Sequence, residues 1–288
     1  MTRSTVLPRR SALYMPASNG KLIDKARTLP CDAVIFDLED AVAPDMKAAA
    51  RATAAQAMAA GGFGDREVII RVNGLDTPWG EADLAAAVAA RPHAVLAPKI
   101  SDAGDVLAYQ RWIGDSGVDL WVMIETARAL FNLADIAATA SAAPLACFVM
   151  GTNDLAKETG ARLTPGRLPM AGALGLAVAA ARSAGLAILD GVYNDLEDAE
   201  GFAEECRQGR DFGFDGKTLI HPRQIDSCNQ AFSPDEAEVI FARAVVAAFS
   251  SAESVGVGAI RVEGKMVERL HLAQCEQILA VAATLGAT

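Results

Sequence analysis

Apolar and polar positions along this chain repeat a scheme. A short aliphatic run is followed by a turn carrying charge, then by an alanine-rich stretch with helical spacing. Eight of the runs have strand length: Ser11 to Ala17, Ala33 to Asp40, Val68 to Gly74, Ala94 to Ile100, Leu120 to Thr126, Cys147 to Asp154, Ala187 to Val192 and Lys217 to Pro222. Strands alternating with helices in this way predict βα units and a parallel sheet. Eight units favour closure into a (β/α)8 TIM barrel over an open doubly wound sheet. No G-x-G-x-x-G follows the first run and there is no P-loop, so a nucleotide-binding Rossmann reading loses its main support. Helix punctuation fits the scheme. Ser18 or Asn19 is placed to cap a helix over GKLIDKARTL, and Pro44 to open one running through Arg51.

The chain continues past the eighth run. Ser233 to Phe249 reads as a helix with Ser233 as N-cap and Glu236 at the capping-box position. An extended segment, GVGAIRVEGKMVER, and a last helix through Leu285 follow. Barrel closure needs none of this. The expected division is a catalytic barrel over 1–232 and a C-terminal helical extension over 233–288, acting as an intersubunit lid.

Composition narrows the function classes. At 52% hydrophobic and 22% charged residues, the chain is an ordered globular protein rather than a disordered one. Its net charge of −10 argues against nucleic acid as a partner, because neutralising phosphates requires a basic surface. The five cysteines show no C-x-x-C spacing, and Cys31 and Cys147 sit beside or within apolar runs. Buried free thiols and a reducing compartment follow, so a cytoplasmic location is expected. The N-terminal MTRSTVLPRRSALYMP lacks the apolar core of a signal peptide, and no apolar stretch reaches membrane-spanning length.

Candidate chemistry gathers at the strand ends, which share one face in a parallel β/α protein. The fifth and sixth runs end in carboxylates, Glu125 and Asp154. Two such groups converging there predict a divalent cation held by hard oxygen ligands. The competing reading is a pair of helix N-terminal acids that only complement the helix dipole. Gly151, Thr152 and Asn153 open the helix that carries Asp154, and their N–H groups would cradle an anion. A cation beside an oxyanion cradle is what a bidentate 2-keto acid requires. DLEDAV sets Asp37, Glu39 and Asp40 at the end of the second run, with Lys47 and Arg51 downstream as candidate partners. These acids read either as functional or as a structural ion-pair network at the rim. The guanidinium of Arg71, inside an apolar run, suits a substrate carboxylate or a salt bridge to the same acids. Lys99 reads as a charge-balancing partner rather than a Schiff-base lysine. His93, His221 and His271 have no spaced His or Cys partner for zinc, and nothing resembles a Ser-His-Asp arrangement or G-x-S-x-G.

Several segments are familiar together: RSALYMPASNGKLIDKA, DAVIFDLEDAVAPDMKAAAR, IRVNG, MIETARAL, MGTNDLA, KTLIHPRQI and GKMVERLHLAQCEQIL. In this order, over nearly the whole chain, they resemble the citrate lyase β-subunit-like members of the HpcH/HpaI aldolase family. The resemblance implies a (β/α)8 barrel, a homotrimer or hexamer, and Mg²⁺. It implies C–C chemistry between an acyl-CoA or acyl-carrier thioester and a small 2-keto acid. By position, Glu125 and Asp154 match the metal ligands, Arg71 the substrate-contacting arginine, and Glu39, Asp40 and Lys47 the cluster behind the metal. Where such lyases read GKMID or GKMVD, with Asp as an acid/base from a neighbouring subunit, this chain reads GKMVE and places Glu268 there. That longer carboxylate fits the same role, a subfamily with other substrates, or a hydrolase. PASNG also replaces the more usual PGxxP in the first loop. The expected activity is Mg²⁺-dependent cleavage of a 3-hydroxyacyl-CoA, such as malyl-, citramalyl- or citryl-CoA, into acetyl-CoA and a 2-keto acid. The alternatives are a malyl-CoA thioesterase on the same site and a citryl-acyl-carrier lyase subunit that depends on partner proteins.

Overall fold

The structure, a computed structural model, describes residues 8–250 and 258–286. Its chain separates into two compact units with the boundary after Phe232. The larger is a closed barrel of eight parallel strands in chain order, with β8 returning to β1. The strands are β1 (Ser11–Pro16), β2 (Ala33–Asp37), β3 (Glu67–Arg71), β4 (Ala94–Ala97), β5 (Asp119–Ile124), β6 (Leu145–Met150), β7 (Ala187–Asp190) and β8 (Gly216–Leu219). All eight expected runs are strands, and the fold is a (β/α)8 barrel with a C-terminal helical extension. The observed strands are shorter at their C-terminal ends, where the polar residues turn out into loops.

Both faces of each strand are buried, which is why the runs read as continuous apolar stretches rather than alternating ones. Ala12, Ile35, Ile69, Leu96, Trp121, Met123 and Val149 fill the barrel interior. Their neighbours Leu13, Val34, Phe36, Ile70, Val95, Val122 and Phe148 face the helices instead. Alanines at 12, 33 and 94 leave interior volume for fully buried Trp121.

Among the described residues, nine helices flank the strands: α1 (Gly20–Ala26), α2 (Lys47–Ala60), α3 (Gly80–Ala90), α4 (Ala103–Ile113), α5 (Ala127–Ala138), α6 (Thr152–Thr159), α7 (Ala171–Ser183), α8 (Ala199–Phe212) and α9 (Ile225–Phe232). Asn19 caps α1 by accepting the Leu22 N–H. The helix begun at Pro44 does not stop at Arg51. After one 3₁₀ turn it runs to Ala60, because Ala50, Ala54 and Ala57 continue its buried stripe.

The smaller unit holds α10 (Glu236–Ser250), the antiparallel pair β9 (Ala259–Val262) and β10 (Lys265–Glu268), and α11 (Arg269–Thr284). Val245, Phe249, Val262, Val267 and Cys275 form its own core. The α10 capping box is displaced from Ser233/Glu236. Asp235 accepts the Glu238 N–H at 2.7 Å, and Glu238 accepts the Asp235 N–H at 2.8 Å. With Asp at N-cap and Glu at N3, the pair two residues on satisfies both donors reciprocally. The extended segment begins outside the described residues; from Ala259 to Glu268 it is a tight hairpin, with Glu263 and Gly264 both at positive φ as a two-residue I′ turn demands. All five cysteines are free and buried. Among the described residues, no helix is long and apolar enough to cross a membrane.

Candidate active site

A cavity of about 320 Å³ opens at the C-terminal ends of the strands. Arg71, Glu125, Gly151, Thr152, Asn153 and Asp154 all line it, together with Asp37, Asp40 and Tyr14. The closed barrel thus brings residues 83 positions apart, from Arg71 to Asp154, to one mouth.

Local sequence fixes the carboxylate of Glu125. It follows the last residue of β5, and Thr126 then caps α5 by accepting the Ala129 N–H at 3.0 Å. The Thr126 hydroxyl also reaches the Ile100 carbonyl at 3.2 Å, tying the β5 turn to the β4 turn. Gly151 packs directly on Glu125: a Cβ there would lie 2.4 Å from a carboxylate oxygen. No other residue type fits. Asp154 stands in the first turn of α6, whose N-cap, Gly151, has no side chain to occupy the opening N–H groups. Asn153 exchanges amide hydrogen bonds with Asn194 beyond β7, at 2.8 and 3.2 Å.

Lys99 bridges the two carboxylates. Its backbone N–H donates to Glu125 Oε1 at 2.7 Å, its ammonium lies 3.6 Å from the same oxygen, and it forms a hydrogen-bonded ion pair with Asp154. Burial works against its charge, but Asp154 and Glu125 outweigh that and hold its pKa above the ordinary lysine value. An imine-forming lysine needs the opposite. Burial drives the carboxyl of Glu125 upward, and Lys99 offsets this only in part. The pair therefore already holds one positive charge between two hard oxygen donors.

That arrangement fits Mg²⁺, which takes one or two carboxylates and keeps several waters. Among the described residues no group of three or more His, Cys, Asp or Glu is arranged to hold a metal, so a closed zinc-type site is not formed. The three histidines spend Nδ1 on backbone N–H groups, those of Val68, Arg223 and Glu268.

Behind the pair, Arg71 takes the carboxylate of Asp37 bidentately, at 2.7 Å through both Nε and Nη2. Its Nη1 lies 2.7 Å from Glu39 and 3.3 Å from Asp40, and its plane sits 4.8 Å from the Tyr14 ring. The guanidinium is thus held as a salt bridge, with Nη1 the nitrogen not bound by Asp37. Asp37, named among the DLEDAV acids but not singled out from them, is its principal partner. The signal was present: an acid ending a fully apolar run, in register with Arg71 on the next strand. Strand alternation ends at Asp37, since its carboxylate accepts the Glu39 and Ala41 N–H groups and turns the chain. Asp40 consequently reaches Arg71 as well.

The Glu39 carboxyl is pushed up to about 8 by burial, against the pull of Arg71 and with the help of Glu125, Asp40 and Asp37. Its Oε2 touches Arg71 but lacks a directed hydrogen bond. The Tyr14 hydroxyl is likewise buried without a partner. Lys47 does not pair with these acids. Its ammonium binds the carbonyls of Leu38 and Glu39 and the Asn73 amide oxygen at 2.7–2.9 Å, bracing the turn that carries Glu39. Arg51 reaches Asp83 instead, at 2.6 Å. Both corrections have one cause: the helix axis aims Lys47 at backbone oxygens and carries Arg51 past the loop to α3. Glu268 stands on the C-terminal unit, exposed at the junction of β10 and α11.

Known proteins share this sequence and fold. The family model described as HpcH/HpaI aldolase/citrate lyase matches residues 10–222. The chain is 50% identical to a (3S)-malyl-CoA thioesterase of Cereibacter sphaeroides (strain KD131 / KCTC 12085) over 280 residues, 97% of this chain and 96% of that protein. It is 34% identical to citrate lyase subunit beta of Escherichia coli (strain K12), covering 96% and 94% of the two chains. The crystal structure of CitE from Mycobacterium tuberculosis in complex with magnesium, acetoacetate and coenzyme A superposes with a TM-score of 0.77 at 31% identity, covering 95% and 97%.

Proposed function

Because this chain belongs to the HpcH/HpaI aldolase/citrate lyase family, we propose that it hydrolyses a 3-hydroxyacyl-CoA of malyl-CoA type to the free acid and coenzyme A. The observation that carries this reading is the near-full-length match, at 50% identity, to a (3S)-malyl-CoA thioesterase. Glu268 in place of the lyase-type Asp agrees with it. The more distant likeness to citrate lyase subunit beta keeps C–C cleavage as the second reading.

Glu125 and Asp154 are the residues that would hold Mg²⁺, the ion bound in the related CitE structure. Bound there, it would supply Lewis-acid polarisation of the substrate oxygens. The opening amides of α6 at Thr152 and Asn153 bind and orient the anionic acid end, with Arg71, already paired with Asp37, Glu39 and Asp40, lining the cavity beside them. Asp37 fixes the guanidinium plane, and the turn braced by Lys47 holds Glu39 and Asp40 behind it. Glu268 takes a proton from the attacking water, whose oxygen adds to the thioester carbonyl. The C–S bond breaks, and the proton goes to the leaving thiolate. The resemblance to lyases that supply this carboxylate from a neighbouring subunit supports delivery of Glu268 by another copy of the chain, as in a trimer with the C-terminal unit as lid.

The test is product analysis with purified protein, Mg²⁺ and (3S)-malyl-CoA. Free thiol appearing with malate, and no keto acid, is expected. Glyoxylate and acetyl-CoA in place of malate would overturn hydrolysis in favour of cleavage. Glu268→Gln should slow turnover about 100-fold while calorimetry shows unchanged Mg²⁺ binding.

A further inference from the structure

Lys99 serves the carboxylate pair with both its side chain and its backbone, and its conformation is costly. Its φ is +55°, in the left-handed region that favours glycine. Left-handed non-glycine residues persist where surrounding contacts over-determine them, and they cluster at functional sites. A glycine would relieve the backbone here, so the position retains lysine for what its side chain does. The backbone N–H fixes Glu125 Oε1, while the ammonium sits against Glu125 and Asp154. The side chain is 39% exposed, so a path to solvent is open along a flexible four-carbon stem.

We infer that the Lys99 ammonium is a built-in competitor for the divalent-cation site: it holds Glu125 and Asp154 together in the metal-free protein and is displaced when the cation enters. This rests on the assignment of Glu125 and Asp154 as cation ligands made above. The two tasks of Lys99 separate on displacement. Its N–H keeps Glu125 in place, and its ammonium turns out to the rim of the cavity. The same charge then stands free beside the anion-binding end of α6. Metal entry at this site is therefore an exchange of one cation for another. Affinity for Mg²⁺ is set below that of a bare carboxylate pair, and the empty site does not fly apart by charge repulsion.

Lys99→Met removes the charge and keeps the length. Calorimetric titration with Mg²⁺ is expected to show affinity rising about tenfold over wild type, since an adjacent opposite charge shifts carboxylate equilibria by a decade or more. The melting temperature in chelator should fall, and that at saturating Mg²⁺ should not. Lysine-specific reductive methylation of the wild-type chain, read by peptide mass spectrometry, gives a second measure. Methylation of Lys99 should accelerate severalfold at saturating Mg²⁺. Equal or weaker Mg²⁺ affinity in Lys99→Met, or slower methylation with Mg²⁺, overturns the exchange and leaves the cation site standing. Absence of divalent-cation binding by both proteins overturns the cation site itself, and the exchange with it. Should Lys99→Met not fold, Lys99→Gly, which relieves the backbone, takes its place with the same expected rise.

Discussion

Two charged clusters sit at the ends of the barrel strands, and they are built on opposite terms. On the β7–β8 side, Asp190, Lys217, Arg167 and Glu205 form a closed network. Lys217 donates to Asp190 at 3.0 Å and to Glu205 at 2.7 Å, and Arg167 Nη1 meets both oxygens of Asp190 at 2.7 and 2.8 Å. Asp190 and Lys217 are fully buried. Burial pulls the carboxyl of Asp190 up, but Lys217 and Arg167 overcome that and leave it below the ordinary range. On the β2–β6 side acids outnumber cations: Asp37, Glu39 and Asp40 share Arg71, and Glu125 and Asp154 share Lys99. Glu39 and Glu125 are pushed upward, and the cavity lies in front of them. A cluster whose charges are answered from within holds the fold. One that keeps surplus negative charge at a cavity is arranged for something that arrives from outside.

The largest expected effect falls on the closed cluster. Asp190→Ala leaves Lys217 and Arg167 with only Glu205 between them in the wall and should cost about 3–5 kcal/mol in denaturant unfolding. A loss under 1 kcal/mol would mean water or a rearranged Glu205 answers them, and the contrast would collapse. Next, at Mg²⁺ concentrations about 100-fold above its Kd, wild type should gain about 2.7 kcal/mol of stability. Asp154→Asn should gain almost none by the same thermal assay, and an undiminished gain would place the cation elsewhere. The smallest effect concerns pH. Glu39 is raised from 4.5 to about 8, so between those values the folded chain binds more protons than the unfolded one, and stability falls as pH rises. In chelator at pH 9, Glu39→Gln should be more stable than wild type by on the order of 2 kcal/mol. Asp190 has the opposite sign: its contribution is present above the ordinary carboxylate pKa and is lost as pH falls through its lowered one. A common sign for both clusters would refute the division.

Much of the candidate site is legible in the sequence. Glu125 and Asp154 end apolar runs, and strand ends converge by construction in a parallel barrel. Arg71 announced itself as a charge within such a run. Asp190 and Lys217 carry the same signal in AILDGV and KTLIHP, yet nothing in their spacing shows that each answers the other. Lys47 and Arg51 sit one helical turn apart, but helical spacing says which residues share a face and not what that face meets.

What the sequence determined is periodic and local. Apolar runs buried on both sides, alanine-rich helical stretches and strand-end polarity together dictate eight βα units and the face where chemistry gathers. What only the tertiary structure decided is pairing. The register that sets Asp37 beside Arg71, the turn that brings Lys99 onto Glu125 and Asp154, and the exclusion of water that raises Glu39 all depend on which strand lies beside which. Contacts across tens of residues are fixed by that assembly. Local spacing carries no record of them.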